Sequence, residues 1–343
     1  MKFIFLLALF FVTAASAQNS GFRFVDHPEQ KQVNLEWNGK LLTAYCYYDS
    51  VRKPFLFPLN TVDGITITRG YPVEPRPGER TDHPHHTGMW LNYESVNGLD
   101  FWNNSTAIAP EKRNGYGSIK HTGILAKKTS DKGAVLVTTA DWVHPDGHVL
   151  MKEQTVYVFT VKNNDFNIER VTTLTAQNED VVFKDAKDGL FAIRVARELE
   201  MPSTQEDVFL DIHGNKTTVK QMSNEGVTGM YYNDAGVKGD SVWSTKGRWC
   251  MLQGVKQGKK ITIGIFDHPH NPGYPTYWHA RGYGLFAANP LGRKIFSNGK
   301  EELNYTLHPH ASVTFRYKVM IASDREVSAQ EMNQKADAFA KEK

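Results

Sequence analysis

The stretch VLMKEQTVYVFTV, residues 149–161, decides the fold class. Its side chains alternate, so that Met151, Tyr157 and Phe159 fall on one side of an extended chain together with Glu153. A period of two residues is that of a β-strand and does not fit the 3.6-residue period of a helix. We therefore predict a strand that turns one face toward a hydrophobic core.

Similar segments recur along the chain, rich in Val, Ile, Thr, Tyr and Phe and bounded by turn-forming residues. They cover residues 33–37, 40–48, 55–57, 65–68, 134–142, 149–161, 168–174, 190–197, 248–255, 260–266 and 312–321. So many strands are unwieldy in one open sheet, whereas two packed sheets bury both inner faces. No linker or repeat interrupts the pattern. We predict an all-β protein with a single domain at residues 18–343, a large antiparallel two-sheet β-sandwich.

One helix is expected at the C-terminal end of the chain. Ser328 and Glu331 have the spacing of a capping box, which satisfies free N–H groups at the start of a helix. Met332, Ala336 and Phe339 follow at helical spacing. These residues predict a short helix with one apolar face.

The first residues have the pattern of a secretory signal peptide. Lys2 precedes an apolar run, and small residues end at Ala17. We expect a signal peptide at residues 1–17 and a secreted protein, periplasmic in a Gram-negative cell. No later stretch has the ~20 apolar residues of a membrane-spanning helix. Cys46 and Cys250 would lie where disulfides can form, either paired with each other or as two buried free thiols.

Composition excludes some classes of partner. The chain has 40 basic and 37 acidic residues, a formal net charge of +3, whereas a nucleic-acid-binding protein carries a clustered basic excess. It has no phosphate-binding loop and no dinucleotide fingerprint. We therefore expect no nucleic-acid partner and no nucleotide cofactor, and the sequence leaves the oligomeric state open.

Residues 82–86, the histidine loop, hold the densest group of ionisable side chains. Asp82 precedes His83, His85 and His86, with Pro84 between them. Imidazole titrates near neutrality and is a common metal ligand, so the loop predicts either proton transfer or metal binding. Its spacing matches no established zinc signature, and histidines that bond to loop backbone are the structural alternative.

A second histidine segment, residues 266–281, begins at the end of a predicted strand and is stiffened by prolines. Asp267 and His268 open it, and His279 and Arg281 close it. Arginine and histidine side chains bind anions and hydroxyl groups. Only the fold can bring this segment to the histidine loop, so the two together form one predicted site.

Polar residues inside predicted strands are further candidates. Glu153 lies on the more aromatic face of its strand, where a carboxylate either pairs with a buried base or lines a cavity. Arg194 has small neighbours on its face, a shape that suits a guanidinium in a binding cleft. A residue at the edge of the core that reaches solvent is the alternative for both.

Aromatic residues near these segments are candidates for stacking on sugar rings. They are Trp90, Trp102, Trp278 and Tyr283. Ordinary core packing is the alternative for each, because aromatic residues make up 12% of the chain.

The chain resembles the PmoA-like family of exported bacterial proteins. The resemblance rests on residues 68–72 (TRGYP, which include Arg69), the histidine loop, residues 96–98 with 101–102, residues 187–189 with Arg194, and, near the end, residues 266–269, 271–272, 278–279, 281 and 283–290. It implies a β-supersandwich similar to galactose mutarotase, found among carbohydrate-utilisation proteins. In such folds a histidine and a carboxylate on the concave face of a sheet move protons on a sugar.

The leading hypothesis is an exported enzyme that acts on a sugar or an oxidised glycoside by hydrolysis, elimination or epimerisation. The predicted acid–base residues are Asp82, His83, His85, His86, Glu153 and Asp267. The predicted substrate-binding residues are Arg69, Trp90, Trp102, Arg194, His268, Trp278, His279, Arg281 and Tyr283. A divalent metal ion held by the histidines is a second possibility, and no other cofactor is expected. A glycan-binding protein without catalysis is the third.

Overall fold

The computed structural model describes residues 21–220 and 223–342, so the predicted signal peptide lies outside the described residues. The described strands, in chain order, are β1 (Phe22–His27), β2 (Gln32–Trp37), β3 (Lys40–Cys46), β4 (Phe55–Leu59), β5 (Met89–Tyr93), β6 (Ser118–Ser130), β7 (Gly133–Val143), β8 (Val149–Lys162), β9 (Asp165–Ala176), β10 (Val181–Phe183), β11 (Gly189–Arg194), β12 (Asp207–Leu210), β13 (Lys216–Val219), β14 (Met230–Asn233), β15 (Lys246–Gly247), β16 (Trp249–Lys256), β17 (Lys259–Asp267), β18 (Thr276–Arg281), β19 (Leu285–Asn289), β20 (Tyr305–Leu307) and β21 (Ser312–Ser323). The described α-helices are α1 (Arg293–Phe296) and α2 (Ala329–Phe339).

These strands form two large antiparallel sheets, which confirms the predicted all-β sandwich. The nine-stranded sheet has the order β1-β2-β3-β4-β5-β11-β19-β18-β15, and the eight-stranded sheet has the order β14-β16-β17-β21-β9-β8-β7-β6. Two small pairs, β10-β20 and β12-β13, complete the topology of the described residues.

The main hydrophobic core fills the space between the two large sheets. Leu91 and Phe191 of the nine-stranded sheet belong to the same buried cluster as Tyr157 and Tyr317 of the eight-stranded sheet. Phe191 and Tyr317 stack across this space with ring centroids 4.8 Å apart. Each sheet therefore has an inner face toward the core and an outer face that other segments cover or leave open.

The C-terminal helix covers part of the outer face of the eight-stranded sheet. Ser328 accepts a hydrogen bond from the Glu331 N–H, as the capping pattern predicts. Met332, Ala336 and Phe339 are buried on one side of α2 and pack in one cluster with Trp249, Met251, Phe266, Met320 and Ala322. The predicted helix and its apolar face are confirmed.

Several strands lack the alternation of buried and exposed side chains on which the strand predictions relied. Every residue of β5, β11 and β19 is buried, as are all but the last of β18. Strands that are covered on both faces read as continuous apolar runs. Of these four strands we predicted only β11, as residues 190–197. Residues 65–68, which we predicted as a strand, make only isolated bridges.

The two cysteines are buried and free in this structure. Cys46 lies on β3 in the nine-stranded sheet and Cys250 on β16 in the eight-stranded sheet. Within residues 21–220 and 223–342, no helix has the length and hydropathy needed to cross a membrane.

Candidate functional site

The site lies on the outer face of the nine-stranded sheet. Trp90 of β5, Ala192 of β11 and Ala287 of β19 form a small apolar cluster on this face, separate from the main core. Neighbouring side chains on a strand alternate between its two faces. Arg194 is two residues after Ala192 and therefore also lies on the outer face. On β18, His279 and Arg281 lie on the face opposite to that of Trp278. The histidine loop packs over this cluster.

Arg69 holds the backbone of the histidine loop. Its Nη1 donates hydrogen bonds to the carbonyl oxygen of Asp82 at 2.9 Å, and its Nη2 to those of His83 at 2.9 Å and His86 at 3.2 Å. The side chain is 1% exposed. This corrects the predicted substrate-binding role, since the guanidinium is buried and engaged with the loop.

The Asp82 carboxylate joins two arginines to one histidine. Its Oδ1 accepts from Arg69 Nη1 and from Arg194 Nη2, each at 2.6 Å, and its Oδ2 lies 2.5 Å from His83 Nδ1. Burial raises the pKa of this carboxyl, but Arg194, His83 and Arg69 together hold it well below its usual range. Asp82 is therefore a fixed anion that orients His83 and cannot donate a proton near neutral pH.

His83 is the exposed member of the loop. Since the Asp82 carboxylate accepts from His83 Nδ1, the proton of the neutral ring is on Nδ1 and Nε2 is free to accept another. The ring stacks on those of His86 and Tyr283, with centroids 4.7 Å and 5.1 Å away. Its backbone is left-handed, with φ of 44°. The loop thus presents one oriented imidazole to solvent.

His85 and His86 are buried beneath it. His86 Nδ1 lies 3.0 Å from Arg194 Nη1, which can only donate, so His86 carries its proton on Nε2. The Nε2 atoms of both rings are buried without a hydrogen-bond partner in the structure. Burial lowers the pKa of both rings well below the usual value. The charge of Lys53 adds to this at His85, and that of Arg194 at both rings. Both imidazoles are neutral at pH 7.

Lys53 contacts both the backbone of the histidine loop and the Trp90 ring. Its ammonium donates to the His85 carbonyl at 2.5 Å and lies 5.2 Å from the centre of the Trp90 ring. Burial lowers the pKa of Lys53 to about 7, against a smaller opposing effect of Asp100. This lysine was not predicted as a site residue, because a single lysine before a strand carries no motif.

The second histidine segment is split between the two sheets. His279 and Arg281 are on β18 and reach the site, where burial, Lys187 and Arg281 lower the pKa of His279 to about 3. Asp267 instead ends β17 in the other sheet, where it accepts hydrogen bonds from Asn271 Nδ2 and the Thr276 N–H. The prediction that the whole segment completes the site is wrong for Asp267.

His268 also lies apart from the histidine loop. Its ring packs edge-on against Phe339 of α2, and its Nε2 lies 3.2 Å from the Glu342 carbonyl oxygen. It faces the C-terminal segment, which explains its burial. The predicted substrate-binding role of His268 does not fit this position.

Glu153 lies in the sandwich interior. It accepts from Arg170 Nη2 at 2.9 Å, from Trp142 Nε1 at 2.8 Å and from the Thr155 hydroxyl at 2.7 Å. Of the two possibilities that the sequence left open, pairing with a buried base is the observed one. This position corrects the predicted acid–base role of Glu153.

The tryptophans support the site from within the protein. Trp90 and Trp102 are 0% and 1% exposed and pack against His86, with centroids 5.2 Å and 5.8 Å from its ring. Trp278 is 0% exposed and belongs to the main core. None of the three can stack on a bound ligand, so core packing, the alternative, is the correct interpretation.

Asp188, immediately before β11, is a site residue that the predicted set lacked. Its Oδ1 lies 3.6 Å from His279 Nδ1, and its N–H donates to Glu94 Oε2. Burial raises the pKa of Asp188 to about 6, with Glu94 raising it further and Lys187 opposing. The only sequence signal was its place in the 187–189 motif. It supplies a carboxyl that exchanges protons near neutral pH.

The charges of the site disfavour a divalent cation. Arg194 occupies the Nδ1 side of His86, and Lys53 lies under the same loop. In the part of the chain that the structure describes, no group of three or more His, Cys, Asp or Glu side chains has the arrangement of a metal site. The arrangement suits proton transfer at His83 and Asp188, with the exposed Arg281 to bind negative charge.

Solved structures similar to this chain include enzymes that act on sugars. The galactosidase domain of the alpha-galactosidase–sucrose kinase AgaSK has a TM-score of 0.40 and 9% identity, and the match covers 88% of this chain and 41% of that one. The chain thus spans less than half the length of that protein.

Two smaller proteins match over nearly their whole length. A putative aldose 1-epimerase from Escherichia coli K12 has a TM-score of 0.31 and 8% identity, covering 88% of this chain and 98% of that one. A galactose mutarotase related enzyme from Lactobacillus acidophilus has a TM-score of 0.31 and 9% identity, covering 89% and 98%. No curated protein matches the sequence.

A family model matches residues 32–337. Its description is "Family of unknown function (DUF6807)", and this corrects the resemblance to a PmoA-like family that the motifs suggested. The match covers most of the chain, including both strands that carry the site's basic residues. The chain therefore belongs to DUF6807, a family of unknown function.

Proposed function

We propose that this protein is a carbohydrate-active enzyme that moves protons on a sugar by acid–base catalysis. The observation that supports this most is the meeting of three groups from distant parts of the chain. His83 is oriented by Asp82, and Asp188 lies beside His279 on the same face of the sheet. The His83 ring stacks on Tyr283, and the Tyr283 ring centre lies 5.9 Å from the guanidinium of Arg281, which is on the same strand as His279.

In the proposed reaction, His83 Nε2 accepts a proton from a sugar hydroxyl or an acidic C–H group. The Asp82 carboxylate stabilises the imidazolium that forms, as the carboxylate of a catalytic triad does. Asp188 exchanges a second proton with the substrate, because its pKa of about 6 is close to the working range of a general acid or base. His279 is neutral and donates or accepts a hydrogen bond.

The same geometry favours epimerisation or elimination over hydrolysis. Most glycosidases use two carboxyl groups on opposite sides of the bond that is broken. Here both oxygens of Asp82 are engaged by Arg69, Arg194 and His83. The acid–base pair that remains is an imidazole and a carboxyl group, which suits proton abstraction and return.

A sugar is the proposed ligand because the open groups of the site all bond to hydroxyls. His83, Tyr283 and Arg281 reach the surface together, and the half-buried ring of Trp243 lies beside Arg281. Polar groups next to aromatic rings are suited to a sugar, which has both hydroxyl edges and apolar C–H faces. Export of the protein to the periplasm stays a prediction that we carry into this proposal.

The test is to incubate the protein with plant and algal glycans, their monosaccharides and oxidised fragments in D₂O, and to follow them by NMR. Interconversion of anomers, exchange of C–H for deuterium, or an unsaturated product supports the proposal. Binding without any of these changes supports a non-catalytic glycan-binding protein instead. Activity that is lost with a chelator and restored by metal would support the metal-dependent alternative.

A further inference from the structure

A cavity of about 300 Å³ adjoins the histidine loop, and the proton-transfer chemistry does not use it. Tyr283, Arg281, Trp243 and Asp240 belong to its lining. The Tyr283 ring also stacks on His83, so the cavity and the proposed base share this neighbouring side chain. A ligand on His83 can therefore extend into it.

Arg281 is the cationic group of this cavity that is free to bind a ligand. It is exposed at the end of β18, and its guanidinium lies 5.6 Å from the Trp243 ring centre and 5.9 Å from that of Tyr283. Among the described residues no carboxylate forms an ion pair with it. Arg80, in the same lining, is by contrast engaged by Glu200 and Asp207.

The surroundings add positive charge. Arg69 and Arg194 are both paired with the single carboxylate of Asp82, so these three side chains together carry a net charge of +1. Lys187 also lowers the pKa of His279, but it is paired with Asp188 at 3.5 Å and adds no net charge.

Within the cavity lining Asp207 is paired with Arg80, so Arg281 and Asp240 are the remaining charged groups. Together with the net positive charge around Asp82, this favours a singly charged anionic substituent near Arg281.

We propose that the substrate is a sugar acid whose carboxylate binds Arg281 while its ring lies against His83. This deepens the proposed function and rests on it. The planar guanidinium, oriented by two aromatic rings, matches the two oxygens of a carboxylate. Asp240 in the same lining disfavours a doubly charged group, so a carboxylate fits this cavity better than a phosphate.

The experiment compares matched probes on the full-length protein: glucuronate with glucose, galacturonate with galactose, and glucose 6-phosphate as the phosphorylated arm. Binding is measured by calorimetry and turnover by NMR, for the wild type, Arg281→Gln, Arg281→Lys and a control, Arg113→Gln. Arg113 is exposed on a 3₁₀ segment, and among the described contacts its side chain bonds only to the Ile108 carbonyl.

We expect the wild type to prefer a sugar acid over its neutral partner. Arg281→Gln should weaken binding of the acid by roughly 10- to 100-fold, the usual effect of losing a hydrogen bond to a charged group, and leave the neutral sugar unchanged. Arg281→Lys should retain part of the affinity, and Arg113→Gln all of it.

Three results would overturn the inference: no binding of any sugar acid, a preference for the phosphate, or equal losses for acid and neutral sugar in Arg281→Gln. Turnover of neutral sugars that does not depend on Arg281 would remove the sugar acid and leave the proposed function in place. Arg281-dependent binding of acids without turnover would support the inference and contradict the proposed function.

Discussion

The Asp82 carboxylate lies 2.6 Å from the Arg194 guanidinium, although 112 residues separate the two in the sequence. This ion pair attaches the histidine loop to β11 in the middle of the nine-stranded sheet. Because the other oxygen of Asp82 orients His83, one carboxylate both anchors the loop and sets the direction of the proposed base.

Replacing Asp82 by asparagine should destabilise the fold. Arg69 and Arg194 are 1% and 0% exposed, so they would be left as buried charges without a counter-ion, at a cost of about 3 kcal/mol. Urea unfolding measures this. The matched control is Asp180→Asn, which removes an exposed contact to His308 and should cost less than about 1 kcal/mol. Equal losses in the two variants would contradict the anchoring role.

Asp188 should make stability depend on pH. Its pKa is about 6 in the folded protein and ordinarily 3.8 in an unfolded chain, so the folded state keeps the proton to higher pH. The free energy of unfolding should therefore fall as pH rises from about 4 to about 6, by up to about 3 kcal/mol from this group.

Asp188→Asn should remove that part of the pH dependence. Urea unfolding of both proteins at intervals from pH 4 to pH 7 gives the difference curve, in which the shared titration of other groups cancels. The wild type should lose stability relative to the variant across this interval. A difference that is constant with pH would show that the Asp188 carboxyl has an ordinary pKa.

Glu153→Gln should reduce stability without reducing the rate per folded molecule. The change leaves Arg170 buried in the core without its counter-ion, which typically costs 3–5 kcal/mol. Adding Arg170→Met should restore part of the loss, because an apolar side chain needs no partner there. A double variant as unstable as Glu153→Gln alone, or a loss of turnover in the folded protein, would contradict the structural role.

The sequence predicted the fold class well because β7, β8 and β9 of the eight-stranded sheet alternate. In β8, Met151, Glu153, Tyr157 and Phe159 share the inner face, as the pattern indicated. Strands β5, β18 and β19 were not predicted. They are buried on both faces, so their hydrophobic residues show no period of two in the sequence. These strands lie at the centre of the site, so its floor could not be predicted.

The site itself was predicted only in part. The histidine loop was found because its ionisable side chains are adjacent in the sequence. The second histidine segment was wrongly predicted to join the site as a whole. Asp267 and His279 are close in sequence but lie on β17 and β18, which belong to different sheets. Asp188 meets His279 because β11 and β18 both pair with β19, a relationship that only the topology provides.

The most direct test of the account is the rate of proton transfer in His83→Asn, measured by NMR on the sugar that the wild type turns over. Asparagine tolerates the left-handed backbone at this position, so the fold should be kept. The exposed His308, replaced in the same way, is the control. We predict a loss of roughly 10²- to 10⁴-fold in His83→Asn and none in His308→Asn. A wild-type rate in His83→Asn would contradict the account.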